Sequence, residues 1–148
     1  MAGLEVRRIE HEATWPLRHM VLRAGRPLST CRWDGDELAS THHFGLFEGK
    51  ELIGVSSIYQ REHAVAQGPD AWQLRGMAVH PERHGQGLGS KMLVEVLATC
   101  RNELRGQRMW CNARLRAVSL YERHGFARVG EAFEIPQVGP HFVMWRGL

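Results

Sequence analysis

The pattern of apolar and polar residues in the first part of the chain predicts a strand, a helix and a hairpin. Leu4–Ile9 alternates apolar and charged positions, which is typical of a half-buried strand. Trp15–Arg23 predicts a helix, with Thr14 in front of it as the cap. Two strand-like runs, His42–Phe47 and Leu52–Tyr59, flank a short polar turn and predict a hairpin.

Three segments of the same region lack strand periodicity. Gly25–Gly35 contains two glycines and a proline and is predicted to be a loop. Asp36–Ser40 is predicted to form a short helical turn. Gln60–Asp70 is polar and is expected to connect the hairpin to a strand that stops at Pro81.

Helical spacing returns at Leu88–Leu104, where the apolar residues fall on one face. Gln107–Cys111 then predicts a short strand. Arg116–His124 predicts a second helix that ends at Gly125, because glycine readily adopts the left-handed conformation that terminates helices. The chain closes with two predicted strands, Phe126–Ile135 and His141–Arg146. This order predicts an α/β (α+β) fold in which a mixed sheet carries helices on both faces.

Length and composition favour a soluble globular protein. At 148 residues the chain is expected to form a single domain over residues 1–148. Apolar residues make up 43% and charged residues 24%, which is ordinary for such proteins. No hydrophobic signal region follows Met1, and no apolar run approaches the roughly 20 residues that span a membrane. We therefore expect a cytoplasmic protein without membrane contact.

The formal net charge of +3 indicates a mild attraction to anions. The arginines are scattered along the chain and form no block with interleaved aromatic residues, which favours a solvated surface over a nucleic-acid site. No nucleic-acid partner is therefore expected. An anionic cofactor would account for part of the excess charge.

Cysteine and histidine spacing argues against a metal site. Cys31, Cys100 and Cys111 are odd in number and lack metal-ligand spacing, so reduced thiols are expected. His42 and His43 are adjacent on a predicted strand, so their side chains point to opposite faces and cannot chelate one ion. No metal cofactor is expected.

The stretch from Leu74 to Ser90 joins an apolar strand, a glycine-rich turn and the start of the long helix. The first N–H groups of a helix lack intrahelical partners and carry the positive end of its dipole, so they attract phosphate. Gly85, Gly87 and Gly89 would let the backbone approach that phosphate closely. This pattern predicts a site for a phosphorylated ligand. The alternative is that the glycines only form a turn that reverses the chain.

Two common phosphate-binding motifs are absent from this stretch. A nucleoside-triphosphate loop would place Lys and then Ser or Thr directly after its last glycine, whereas Gly89 is followed by Ser90 and Lys91. A dinucleotide fingerprint would need a third glycine where Ser90 stands. Neither nucleotide class therefore explains the turn.

The remaining pattern resembles the GNAT superfamily of N-acyltransferases, whose pyrophosphate loop reads [QR]-x-x-G-x-[GA]. Gly87 and Gly89 match it, while His84 stands at its first position. A second signature, A-x-x-[FL]-Y-x-x-x-G-F, is matched closely by Ala117–Phe126. Together they cover roughly residues 40 to 130. The tail Gly130–His141 is similar to an ElaA-like branch of this superfamily.

The resemblance implies a GNAT-type fold with a mostly antiparallel sheet, and acetyl-coenzyme A as the cosubstrate. It places the backbone of Met77, Ala78 and Val79 along the pantetheine arm, with the Met77 N–H toward the thioester oxygen. It assigns the pyrophosphate to the turn residues, namely His84, Gly85, Gln86, Gly87, Leu88, Gly89 and Ser90. Asn112 would make a polar contact to the cofactor, although the more usual position holds Arg114 here.

The resemblance also places Tyr121 in the general-acid position, where it would contact the cofactor. The departing thiolate has a thiol-like pKa of about 8.5, so a nearby hydroxyl can assist by donating a proton. The alternative is that Tyr121 is a core residue with its hydroxyl at the rim.

The general base is left open by the sequence. An alkyl ammonium has a pKa near 10.4 and must lose a proton before it attacks. Many relatives carry a glutamate early in the central strand, but Gln73 stands there and cannot accept a proton at neutral pH. The candidates are His141, His63, Glu131 or a chain of water molecules.

These residues predict a transferase that moves an acetyl group directly from acetyl-coenzyme A to a small-molecule or peptide amine. The alternative is a non-catalytic acyl-coenzyme A sensor, which Gln73 favours and Tyr121 disfavours. In the family the acceptor site is shaped by segments corresponding to Gly25–Ser40 and Glu131–His141, where Trp33, Phe133 and Glu134 could line it or pack instead. The oligomeric state, including a homodimer, is left open.

Overall fold

Seven β-strands and three α-helices make up the regular structure of residues 3–148, the part of the chain that the computed structural model describes. The strands are β1 Leu4–Ile9, β2 His42–Glu48, β3 Glu51–Gln60, β4 Ala71–Val79, β5 Arg108–Arg114, β6 Ala127–Ile135 and β7 Gly139–Gly147. The helices are α1 Trp15–Leu17, α2 Leu88–Asn102 and α3 Val118–Arg123.

The strands form one mixed sheet in the order β1-β2-β3-β4-β5-β7-β6. The β1–β2, β2–β3, β5–β7 and β6–β7 pairs are antiparallel, whereas β4 and β5 run parallel. The predicted mixed, mostly antiparallel α/β fold is confirmed. The parallel ladder joins Ala71–Leu74 to Arg108–Cys111.

The chain divides into two compact units, and β4 and α2 each contribute residues to both. The first unit contains residues up to Tyr59 and Arg75–Val96. Leu17, Val55 and Ala78 form a core cluster there, against which Ile9 and other partly buried apolar residues pack. The apolar face of α2 within this unit is buried at Leu88, Met92, Leu93 and Val96, as its spacing predicts.

The second unit contains Gln60–Leu74 and Leu97–Leu148. Ala66, Ala71 and Trp110 form a core cluster there, with Val65 and Trp145 packed against it. The predicted end of the second helix is confirmed, because α3 ends at Arg123 and Gly125 has a φ of +87°.

Three local predictions in the first unit are wrong. Thr14 does not cap a helix, since its hydroxyl donates to the carbonyl of His11 inside a 3₁₀ turn over His11–Thr14. The predicted helix continues past α1 as a π-helical turn over Arg18–Leu22 rather than as α-helix. Asp36–Ser40 forms turns rather than a helical segment, and the 3₁₀ turn of this loop lies earlier, at Leu28–Cys31.

Candidate active site

The glycine-rich turn lies between the end of β4 and the start of α2. Gly85 and Gly87 have φ values of +79° and +72°, a left-handed conformation that side chains rarely adopt. A Cβ built at either position would meet no atom within 4 Å, so the space beside the turn is open. Gly89 lies in the first turn of α2. An open turn of small residues before a helix start suits a phosphate group.

The turn is tied to the strands of the same unit by its polar side chains. His84 Nε2 donates to the carbonyl of Val79 at 2.9 Å, so the residue that departs from the family pattern fastens the turn to β4. Arg83 forms an ion pair with Glu48 at the end of β2. The hydrogen bond from Arg83 lowers the pKa of Glu48. Sequence reasoning missed this pair, because 35 residues separate its members.

At the end of β4, the groups proposed to contact the cofactor are backbone N–H and C=O groups and not side chains. Ala78 is buried in the core of the first unit, and the His80 amide donates to the Ile53 carbonyl at 2.8 Å. Among the described residues, the pairs of the β4–β5 ladder stop at Leu74, so Met77, Ala78 and Val79 lie beyond them. Gly76 adopts a φ of +71° immediately before Met77.

A buried polar cluster in the first unit was not predicted from the sequence. Arg18 is fully buried and forms two hydrogen bonds to the carboxylate of Asp36, at 2.7 and 3.2 Å. The Tyr59 hydroxyl donates to Asp36 at 2.5 Å, and His43 Nδ1 lies 2.6 Å from the Ser57 hydroxyl. Burial alone would raise the pKa of Asp36, but hydrogen bonds from Arg18 and Tyr59 outweigh it and lower that pKa.

Tyr121 lies in the second unit, on α3, and is buried. Its ring packs edge-on against Phe126 with 5.5 Å between the ring centroids. Burial, and then the neighbouring Cys111, raise the pKa of the Tyr121 hydroxyl well above its ordinary value. Burial likewise raises the pKa of Cys111 to about 12. The Tyr121 hydroxyl therefore stays protonated throughout the physiological pH range and has a proton available to donate.

His141 is buried on β7 of the second unit. Its Nδ1 lies 2.8 Å from the carbonyl of Gly139 and must donate, because a carbonyl only accepts. In the neutral ring the other nitrogen, Nε2, then carries the lone pair. The arrangement fixes one tautomer with Nε2 as the basic atom.

The other base candidates have less suitable surroundings. The His63 ring packs at a tilt against Trp110, with 4.5 Å between the ring centroids, and its Nδ1 accepts a hydrogen bond from the Val65 amide. Glu131 is exposed on β6. Gln73 is buried and accepts a hydrogen bond from Arg61 at 2.9 Å.

Asn112 is exposed on β5, opposite Val143 in the ladder with β7. Arg114, at the more usual position of the cofactor contact, is half-buried. Burial, and then the charge of Arg116, lower the pKa of its guanidinium from the ordinary value. Both residues remain predictions as cofactor contacts.

The loop predicted to shape the acceptor site lines two open pockets in the first unit, of 390 and 350 Å³. Asp36, Glu37 and Leu38 line both pockets. Trp33 lines the second, whereas Phe133 and Glu134 are exposed on β6 of the other unit.

Two features, a metal-binding cluster and a membrane-spanning helix, are absent from residues 3–148. No group of three or more His, Cys, Asp or Glu side chains there is arranged to hold a metal ion. No helix in that range is long and apolar enough to cross a membrane.

Comparisons with known proteins identify the family. The sequence model of the Acetyltransferase (GNAT) family matches residues 6–126. A Bacillus subtilis protein named uncharacterized N-acetyltransferase YitI is 32% identical over 145 residues, covering 98% of this chain and 97% of that protein. The chain therefore belongs to the GNAT acetyltransferase family.

Solved structures share the fold. ElaA from Escherichia coli superposes with a TM-score of 0.77 at 18% identity, covering 97% of this chain and 99% of that one. The ribosomal-protein-S18-alanine N-acetyltransferase from Escherichia coli gives 0.76 at 16% identity, covering 98% and 94%. At such identities the likeness concerns the fold alone.

Proposed function

We propose that this protein is an N-acetyltransferase that moves an acetyl group from acetyl-coenzyme A directly to an amine, without a covalent enzyme intermediate. The observation that carries the proposal is the open glycine turn between β4 and α2, in a chain of the GNAT family. Left-handed glycines also occur in turns that only reverse the chain, so the proposal depends on this open turn leading directly into the start of α2, where a phosphate is favoured.

The donor would be held mainly by backbone groups of the first unit. The turn over Gly85–Gly89 and the start of α2 would bind the pyrophosphate through N–H groups, with His84 and Ser90 supporting the turn. Met77, Ala78 and Val79 would hydrogen-bond the pantetheine arm. When bound, acetyl-coenzyme A supplies the activated acyl group and a thiolate leaving group.

Charge develops on the acyl oxygen as the amine attacks. The Met77 N–H is the proposed donor toward that oxygen, because fixed backbone donors stabilise such charge without reorganising. Removing one such donor typically slows turnover by about a hundredfold to a thousandfold.

An ammonium acceptor loses one proton before it attacks and a second after the C–N bond has formed. The departing sulfur gains one proton as the C–S bond breaks, and the second proton from nitrogen would replace it, so one proton is released overall. Tyr121 is the proposed donor to the sulfur, which is consistent with a raised hydroxyl pKa that keeps its proton in place. His141 Nε2 is the proposed acceptor for the proton of the amine, since Nδ1 is occupied by Gly139.

His141→Ala is expected to lower the rate most near neutral pH. Near neutral pH little of the acceptor is free amine, so a residue that takes its proton contributes most there. At high pH the free amine becomes abundant and part of the rate should return. A pH–rate profile of kcat/KM for both proteins checks this. If the profile of His141→Ala has the same shape and height as that of the wild type, the general base is water or another residue.

One observation favours a second function, an acyl-coenzyme A sensor without turnover. Gln73 stands where relatives carry an acid, and its amide oxygen is bound to Arg61. Such a sensor would bind coenzyme A but release no thiol from the acetylated form.

The test is a binding measurement followed by an acceptor screen. Calorimetry should show binding of coenzyme A and none of a nucleoside triphosphate. Purified protein is then mixed with acetyl-coenzyme A and a panel of small amines, polyamines, amino acids and peptides, and thiol release is followed. Binding without thiol release for every acceptor would favour the sensor, and binding of neither ligand would refute both functions.

A further inference from the structure

The β4 strand contains one left-handed residue, Gly76, with a φ of +71°. The peptide unit that follows it carries the N–H of Met77, so the backbone angles at Gly76 set the direction of that N–H. A glycine can leave this conformation easily, because it populates both signs of φ about equally. Something else in the structure must therefore hold it.

Trp33 occupies the space beside Gly76. A Cβ at position 76 would lie 2.7 Å from Cζ3 of the indole, closer than real Cβ atoms come, and a tight 3.1 Å from Cη2. The ring therefore packs directly on the glycine backbone. Arg75, the residue before the glycine, has its guanidinium carbon 4.4 Å from the centroid of the same ring. Trp33 thus contacts the strand at and immediately before the left-handed residue.

Trp33 is itself held in place at three points. Its indole Nε1 donates to the carbonyl of Thr30 at 2.9 Å, and its backbone amide donates to Asp36 at 2.9 Å. The guanidinium carbon of Arg18 lies 3.8 Å from the ring centroid, a distance at which a cation and an aromatic face attract. The indole cannot turn or withdraw without breaking these contacts.

Arg18 is fixed just as firmly. Besides its pair with Asp36, it donates to the carbonyl of Cys31 at 2.9 Å, to Ser57 at 3.1 Å and to Tyr59 at 3.2 Å. A planar guanidinium with this many directed hydrogen bonds has one orientation. Arg18 is the first residue of the π-helical turn, and its carbonyl accepts a hydrogen bond from the Arg23 amide at 3.0 Å.

We propose that Trp33 is a positioning residue, which Arg18 and Asp36 fix against Gly76 so that β4 keeps the backbone direction of the Met77 N–H. Trp33 would act through that backbone and touch no reacting atom. The catalytic consequence rests on the proposed function, whereas the support of Gly76 by Trp33 does not.

The test compares Trp33→Ala and Trp33→Phe with a control, Phe44→Leu. Phe44 is buried in the same unit, but it lies on β2, which pairs with β1 and β3. Backbone amide shifts and hydrogen exchange are measured on the free proteins. In Trp33→Ala the Met77 and Ala78 amides should shift and exchange about tenfold faster or more, since a local opening has become easier. Trp33→Phe should lie between this variant and the wild type.

Kinetics provide the second measurement. A misplaced backbone donor should lower kcat of Trp33→Ala by about tenfold to a hundredfold. Affinity for coenzyme A should fall by less than kcat, because the glycine turn keeps its phosphate contacts while only the β4 contacts to the pantetheine arm are disturbed. Phe44→Leu should lower the melting temperature while leaving these amides and kcat near their wild-type values.

Unchanged Met77 and Ala78 amides in folded Trp33→Ala would overturn the proposal, as would an equal change in Phe44→Leu. Shifted amides with an unchanged kcat would overturn the catalytic consequence. If the wild type turns over no acceptor, the proposed function fails, yet the amide measurement still decides whether Trp33 holds Gly76. If Trp33→Ala does not fold, Trp33→Phe gives the same comparison with a smaller shift.

Discussion

Tyr121→Phe is expected to reduce kcat by about a hundredfold to ten-thousandfold, the usual contribution of a general acid, if protonation of the sulfur limits the rate. The substitution keeps the buried ring and its edge-on packing against Phe126, and it removes only the hydroxyl. Affinity for coenzyme A should change little, since the glycine turn and the β4 backbone are proposed to carry it. Thiol release, calorimetry and melting temperature are measured on the same preparation.

The control for this prediction is Phe126→Leu. It disturbs the packing of the same aromatic pair while leaving the Tyr121 hydroxyl in the protein, so it should lower the melting temperature more than it lowers kcat. A packing role for Tyr121 predicts the opposite pattern. Near-normal turnover together with a lowered melting temperature in Tyr121→Phe would remove Tyr121 from the mechanism.

Gly87→Val is expected to weaken coenzyme A binding by roughly tenfold to a hundredfold, the loss of one or two hydrogen bonds to a charged group. The added side chain would fill the open space beside the turn, and valine tolerates the φ of +72° poorly. Gly89→Val should weaken binding as well, because it adds bulk in the first turn of α2. Calorimetric titration with coenzyme A measures both.

The control for this prediction is Gly130→Val, which introduces the same kind of backbone strain as Gly87→Val. Gly130 has a φ of +73° and likewise has no atom within 4 Å of a built Cβ, but it lies on β6, outside the turn. Gly130→Val should therefore cost similar stability without weakening coenzyme A binding. Equal affinity in Gly87→Val and Gly130→Val would remove the phosphate assignment from the turn.

The sequence predicted elements whose signals are local. Leu4–Ile9 alternates and forms β1 with those bounds, and the one-sided spacing from Leu88 onward forms α2. The glycine turn was also predicted, because its glycines lie between a strand that stops at Pro81 and a helix that begins at Leu88. Gly85 and Gly87 do adopt the left-handed conformation there. The end of the second helix at Gly125 was predicted from the glycine itself, which readily adopts the left-handed conformation that terminates helices.

The sequence did not predict features that depend on distant residues. Arg18 and Asp36 are separated by 18 positions, and charged residues in a helix and a loop are usually solvated, so nothing in the pattern indicates a buried pair. Trp33 was interpreted as a lining residue of the acceptor site or as packing, but its contact with Gly76 requires knowledge of the tertiary structure. The π-helical turn over Arg18–Leu22 begins at this buried arginine, and the helical spacing of Trp15–Arg23 gave no sign of it.

The proposed function is tested most directly by comparing the thiol released from acetyl-coenzyme A with the acetylated amine formed, in the same reaction, for the best acceptor of the screen. Direct transfer predicts equal amounts of the two products. It also predicts that the protein mass stays unchanged when acetyl-coenzyme A is added without an acceptor. An acetylated protein intermediate on the pathway, or coenzyme A binding with no acetylated product for any amine, would contradict the proposal.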